Sequence, residues 1–282
     1  MRRARIPMVA GLLLLGAAGC VAPVGDDGSW EAFRERFREG DTDAFLVEGD
    51  IVVDEAELFE YYLDTLGEDD AAVARAQGAL IANDPSSVGN YDRRGGATID
   101  YCYDDGWGRA QDGYTAPQLA MVMANVDRAA RMWNGVADIH FRHRRDLDGA
   151  GCNNGLRWSG EIEFWVTHHS STNASGAFPS AGHDFQMLKV PPGGIPTNLA
   201  LHELGHILGF RHEHERGEAA PRYCDDLTSY HALTEFDPQS VMMYADCTVG
   251  SAILGTIPPS RLDGIGARRA YGNPRWWYAG AF

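Results

Sequence analysis

The spacing of apolar residues divides the chain into two unlike parts. Near the beginning, Trp30, Phe33 and Phe37 fall at helical intervals with charges between them, which predicts an amphipathic helix ending near Gly40. Residues 44–53 alternate imperfectly and predict a strand. Asp54 with Glu57 makes a box-like helix start, Leu58, Tyr62 and Leu63 share a face, and Gly67 stops that helix. A third helix is expected from Asp70 to about Ala82. Two loop-like stretches follow, Asn83 to Ser87 and Arg93 to Gly96, with a domain boundary between them; Arg93-Arg94 is expected in a solvated loop, with a processing site as the alternative. Beyond this point strands dominate at first. Ile99, Tyr101 and Tyr103 alternate, as do Ile139 and Phe141, and Ile162, Phe164 and Val166. Between the first two lies a long helix capped by Thr115 with Pro117 in its first turn. Its stripe of Leu119, Val122, Met123, Val126, Ala130 and Trp133 reads as core. Residues 176–180, with Pro179, suit an edge strand, and 185–190 suit another. Asp146 to Gly149 is a turn, lacking the spaced acids of a calcium loop. Thr197 or Asn198 opens a helix, and Ser260 with Asp263 opens the last one.

The chemistry gathers at His202-Glu203-Leu204-Gly205-His206-Ile207-Leu208-Gly209-Phe210-Arg211-His212. Two histidines four residues apart share one helical face and can converge on one ion. Glu203 sits where a base for a metal-bound water is needed. Gly209 can adopt a left-handed backbone that ends the helix and swings the chain back, so that His212 arrives as a third ligand. Three imidazoles leave a zinc position open for water, which distinguishes a catalytic site from a structural one. Two core histidines on a helix with a His-rich exit would be the plain alternative. The spaced glycine and the third histidine argue against it.

HExxHxxGxxH resembles the signature of the metzincin zinc peptidases. With Glu213 directly after the third histidine and Arg216 nearby, the stretch is similar to the astacin branch. A methionine turn should follow, and Ser240-Val241-Met242-Met243-Tyr244 fits one. The resemblance implies an α/β fold of the α+β type: a mixed twisted sheet, an active-site helix and a smaller C-terminal subdomain, preceded by a small α-rich pro-region. It implies Met242 as a floor below Zn2+ and Tyr244 as a ligand of resting zinc or a donor to the oxyanion. It also implies that residues 176–180 pair with an extended protein or peptide substrate. Val47-Glu48-Gly49-Asp50-Ile51 is similar to a pro-segment motif whose aspartate fills the open zinc position, with valine where the family has phenylalanine. That makes Asp50 a candidate latency switch. The alternative is a hairpin-type turn at Gly49-Asp50 between short strands. Residues 217–221 and Met243 depart from the family pattern, which bears on subsites and branch rather than on zinc.

Charge and address narrow the setting. The net charge of −16 argues against nucleic acid or anionic lipid held by bulk charge. Arg2, Arg3 and Arg5 precede an apolar run, residues 6–18, too short to span a bilayer, which ends in Ala17-Ala18-Gly19-Cys20. This resembles a bacterial lipoprotein signal with Cys20 as lipid anchor; ordinary secretion with a spare cysteine is the alternative. The expected divisions are a signal at 1–19, a tether and pro-region at 20–95, and a zinc peptidase domain at 96–282. The protein is expected to be exported, lipid-anchored at an outer membrane or cell surface, and monomeric. Setting Cys20 aside leaves four cysteines and three possible pairings in an exported chain. Cys224–Cys247 is favoured, with Cys102–Cys152 following by elimination.

The function expected is zinc-dependent endopeptidase action, with Glu203 as general base and a water as nucleophile. An inactive surface binding lipoprotein on the same fold is the alternative from another class, although such a binder has no use for Glu203. A cell-wall zinc amidase would share the first two histidines without needing Gly209, His212 and the methionine turn together.

Overall fold

A computed structural model describes residues 30–38, 45–47, 50–55, 58, 80–83, 92–96, 98–104, 114–149, 151–170, 173–216, 230–244 and 258–274. The elements in chain order are α1 (Trp30–Phe37), β1 (Phe45–Val47), β2 (Ile51–Val53), β3 (Ile81–Asn83), β4 (Thr98–Tyr103), α2 (Ala116–Val136), β5 (His140–His143), α3 (Asn154–Ser159), β6 (Phe164–His168), β7 (Ser175–Ala177), β8 (Met187–Val190), α4 (Thr197–Ile207), β9 (Tyr230–Ala232) and α5 (Arg261–Tyr271). The fold is mixed α/β. Seven strands form one mixed sheet in the order β1-β2-β7-β8-β6-β4-β5. The run β8-β6-β4-β5 is parallel, β7 is antiparallel to β8, and β2 joins β7 in parallel. Among the described residues no helix is long and apolar enough to cross a membrane.

The two helices that matter most, α2 and α4, pack on each other. The predicted stripe of α2 is its buried face: Val122, Val126, Ala130 and Trp133 enter the main core with Leu201, Leu204 and Ile207 of α4. Trp133 Nε1 donates to the Leu201 carbonyl at 2.9 Å, so the largest core side chain also has its polar atom satisfied. Thr115 begins α2 as expected, its backbone N–H bonded to Gln118 Oε1 at 2.8 Å. The α4 cap differs from expectation. Thr197 is already helical, after Pro196, and its hydroxyl donates to Asn125 Oδ1 at 3.0 Å instead of capping.

Three further expectations change near the chain's first part. Residues 44–53 are not one strand: β1 and β2 form an antiparallel pair, Val47 opposite Ile51, with Asp50 at the turn. Consequently β7 is not an edge, because β2 pairs with it, Ile51 opposite Gly176. Residues 81–83 are a strand paired with β9 rather than the end of a helix. Arg94 is no solvated loop residue; it is 4% exposed. Cys102 and Cys152 are disulfide-bonded, closing a separation of 50 residues and tying β4 to the turn before α3. Cys20, Cys224, Cys247 and Gly49 lie outside the described residues, as does most of the expected second and third helices.

Candidate metal centre

The last turns of α4 bring His202 and His206 to one face, and Gly209 ends the helix as the sequence predicts. Its φ of +91° is in the region that disfavours side chains. The Gly209 N–H donates to His206 O at 2.7 Å and the Phe210 N–H to Gly205 O at 2.9 Å, closing the helix and turning the chain towards His212. All three histidines are fully buried. Their Nε2 atoms converge: His202 and His206 are 3.1 Å apart, His202 and His212 3.2 Å.

The opposite ring nitrogens explain this orientation. His202 Nδ1 lies 2.8 Å from the Val241 carbonyl and His206 Nδ1 2.7 Å from the Phe210 carbonyl. A carbonyl accepts only, so Nδ1 carries the proton and Nε2 presents a lone pair inward, the tautomer a metal ligand needs. His212 Nδ1 faces Glu215 Oε1 at 3.5 Å. Burial, reinforced by the neighbouring histidines, lowers the His202 imidazole to about 4 and keeps it neutral, against the opposing pull of Asp50.

Asp50 enters this cluster from the β1–β2 turn. Its carboxylate lies 3.3 Å from His202 Nε2, 3.6 Å from His206 Nε2 and 3.1 Å from His212 Nε2. The four side chains form a group able to hold a metal ion. Burial alone would raise the Asp50 carboxyl, but the histidines outweigh it and hold it well below the carboxylate range. The expected hairpin-type turn and the expected approach of Asp50 to the histidines are thus one feature: the turn carries the carboxylate in.

Glu203 is fully buried and neither carboxylate oxygen meets a hydrogen-bond donor among the described residues. Burial, and then the Asp50 charge, push its carboxyl well above the usual range. Tyr244 donates its hydroxyl to Asp50 Oδ2, while its backbone N–H donates to His214 Nδ1 at 3.3 Å. Burial and the Asp50 charge raise the phenol, so it keeps its proton. Met242 lies under α4, close enough that a Cβ on Gly205 would come within 2.3 Å of its sulfur. The Met242 carbonyl accepts from Glu213 N–H at 2.9 Å. Glu213 in turn accepts the Asp237 N–H at 2.9 Å, and burial pushes its carboxyl up to about 8.

One residue of this frame was read from sequence only as a helix cap. Asp263 does bond with Ser260, but it also accepts the Ser240 hydroxyl at 2.7 Å and the Val241 N–H at 3.0 Å. It therefore fixes the turn whose Val241 carbonyl orients His202. The capping box was visible in the sequence; the partner from residues 240–241 was not.

The residues fit a divalent metal of the zinc type: three inward nitrogen donors, an oxygen donor, and beside them a buried acid with no hydrogen-bond partner among the described residues. No model of a known protein family matches the chain, and no curated protein does. Among solved structures, high choriolytic enzyme 1, a hatching enzyme zinc-protease from Oryzias latipes (medaka fish), is 19% identical with a TM-score of 0.42, over 68% of this chain and 99% of that one. Two structures of myroilysin are 17% and 14% identical, both with a TM-score of 0.38. They match 62% and 73% of this chain, and 92% and 97% of their own. These likenesses are low, and the site stands on its own geometry.

Proposed function

We propose that this chain is a zinc-dependent endopeptidase, described here in a latent state. The observation that carries the reading is the convergence of three imidazole Nε2 atoms, two of them fixed by carbonyls behind, beside a buried carboxyl that has no hydrogen-bond partner among the described residues. His202, His206 and His212 would hold the ion. Bound there, zinc supplies Lewis-acid polarisation of a peptide carbonyl and lowers the pKa of water. Glu203, one residue from the first ligand, takes the proton from the attacking water and passes it to the leaving amine. The Tyr244 hydroxyl, freed from Asp50, donates to the oxygen on which charge develops. Met242 packs beneath the ligands and touches no substrate.

Latency follows from the same atoms. Asp50 fills the space between the three histidines and occupies the Tyr244 hydroxyl, while β2 takes the strand edge of β7 that an extended peptide would need. The exported, lipid-anchored location through Cys20 and the monomeric state rest on the sequence alone.

Metal analysis of the purified chain tests the reading, together with digestion of an unfolded protein by a form lacking the Asp50 carboxylate. One zinc per chain, lost on His206→Ala, and chelator-sensitive digestion are expected. Zinc binding without digestion would favour an inactive binding protein; neither zinc nor digestion would remove the proposal.

A further inference from the structure

The exit of α4 is buried, and its last carbonyls need donors that the helix cannot supply. Two side chains from distant parts of the sequence provide them. Arg94 donates from Nε to the Ile207 carbonyl at 3.0 Å, and Tyr271 donates from its hydroxyl to the Leu208 carbonyl at 2.6 Å. The two are joined, since the Arg94 N–H donates to the Tyr271 oxygen at 3.1 Å. Their neighbours are fixed too. Arg93 donates to the Ala270 carbonyl at 2.9 Å, and Asp92 Oδ2 accepts from the Ser180 N–H at 3.0 Å and hydroxyl at 2.6 Å. The Asp92 carbonyl approaches Gly209 so closely that a Cβ there would lie 2.2 Å from it.

This cradle touches the turn that governs two of the three histidines. Phe210, whose carbonyl receives His206 Nδ1, also bridges to Ala82, and His212 follows two residues later. Leu80, at the start of the same stretch, is buried in the main core. The segment carrying Asp50 is built differently. Phe33, Phe45, Val47, Ile51, Val53 and Leu58 form a separate apolar cluster with Phe178.

We infer that residues 92–94, with Arg94 as the positioning residue, clamp the turn that aims His206 and delivers His212. The chain from Leu80 onward then belongs to the metal-bearing unit, and only the part before it can leave when the Asp50 latch is released. The expected division at residues 95–96 moves towards the N-terminus, and Arg93-Arg94 is a structural pair rather than a place to cut. The metal-bearing role of this unit rests on the function proposed above; the geometry of the clamp does not.

The test uses the full chain. Arg94→Met keeps the aliphatic stem and removes the donors. Amide exchange at Gly209 and Phe210 should then accelerate by about tenfold or more as the turn opens locally. Cobalt(II), taken up in place of zinc, should bind ~10–100-fold more weakly, with a shifted visible spectrum, as for loss of an outer-shell partner. Arg94→Lys should restore part of each change. Unchanged exchange, affinity and spectrum in Arg94→Met overturn the clamp. If Arg94→Met does not fold, Arg94→Lys decides on the same readouts, with wild-type values overturning it. A wild-type chain that takes up no cobalt overturns the metal reading, and exchange alone still decides the clamp. Sequencing the N-terminus of the active form gives an independent answer: a first residue at or before Leu80 is expected, and a fully active form beginning later contradicts the inference.

Discussion

Asp50 and Tyr244 lie 194 residues apart, and the Tyr244 hydroxyl donates a hydrogen bond to Asp50 Oδ2 while the same carboxylate faces all three histidines. One side chain thereby engages the proposed ligands and the proposed oxyanion donor together. Replacing it should release both. Asp50→Ala in the full chain is expected to raise basal peptidase activity by about tenfold or more, by moving the population towards the open form. Activity equal to wild type, measured on the same peptide with zinc present, would leave Asp50 as a turn residue only.

Tyr244→Phe should have two opposed effects in the wild-type chain and one in the Asp50→Ala chain, since the oxyanion donor is lost in both. In the wild-type chain it removes a donor to Asp50 and weakens the latch. In the Asp50→Ala chain only the loss of the oxyanion donor remains, so kcat should fall by ~10–1000-fold with KM nearly constant. An unchanged kcat in the second background would remove Tyr244 from the mechanism.

Far from the metal centre, His143 sits between Asp127 and Asp148, at 3.3 Å and 3.0 Å, and Tyr101 donates to Asp127 at 2.8 Å. Burial works against the His143 charge, but the two carboxylates win and raise its pKa above 6.5; for Asp127 burial is outweighed by His143 and the tyrosines, and its pKa falls below 3.8. The His143 contribution is therefore complete below its unfolded value and is lost as pH rises through the folded value. The Asp127 contribution is present above its unfolded value and is lost as pH falls through the folded one. The cluster stabilises most between about pH 4 and 6.5. Denaturant midpoints of wild type and His143→Gln should differ most in that window and converge above it. A constant difference up to pH 9 would contradict the linkage.

How much of this was legible in the sequence depended on how local the signal was. The histidine spacing, Gly209 and the α2 stripe are local periodicities, and each lands where expected. Met242 and Tyr244 were placed by a short motif, and they too reach the site. The strand order was not legible, because nothing in residues 51–53 announces that β2 will pair with β7 rather than continue from β1. Arg94 was misread for a related reason. A dibasic pair beside two glycines looks solvated, and its partners, the carbonyl of Ile207 for Arg94 and that of Ala270 for Arg93, lie more than a hundred residues away in sequence. Asp92 and Tyr271 were missed on the same ground.

The Cys102–Cys152 bond restrains the end of β4, whose backbone pairs with both β5 and β6. Cys102→Ser with Cys152→Ser should lower stability by ~2–4 kcal/mol, through the freedom returned to the unfolded chain. Denaturant unfolding measures it. Since the bond is remote from the histidines, metal content at low temperature should stay at wild-type level; a chain that unfolds normally but binds no metal would mean that the bond shapes the site.

The central claim is that Glu203 acts on a water at a metal held by His202, His206 and His212. The most direct measurement is digestion of an unfolded protein by the Asp50→Ala chain, beside the same chain carrying Glu203→Gln, with metal content determined for both. Equal zinc in the two, chelator-sensitive digestion by the first and a loss of ~100-fold or more in the second are the predicted results. Digestion that survives Glu203→Gln or chelation, or its absence from a zinc-loaded Asp50→Ala chain, would contradict the account.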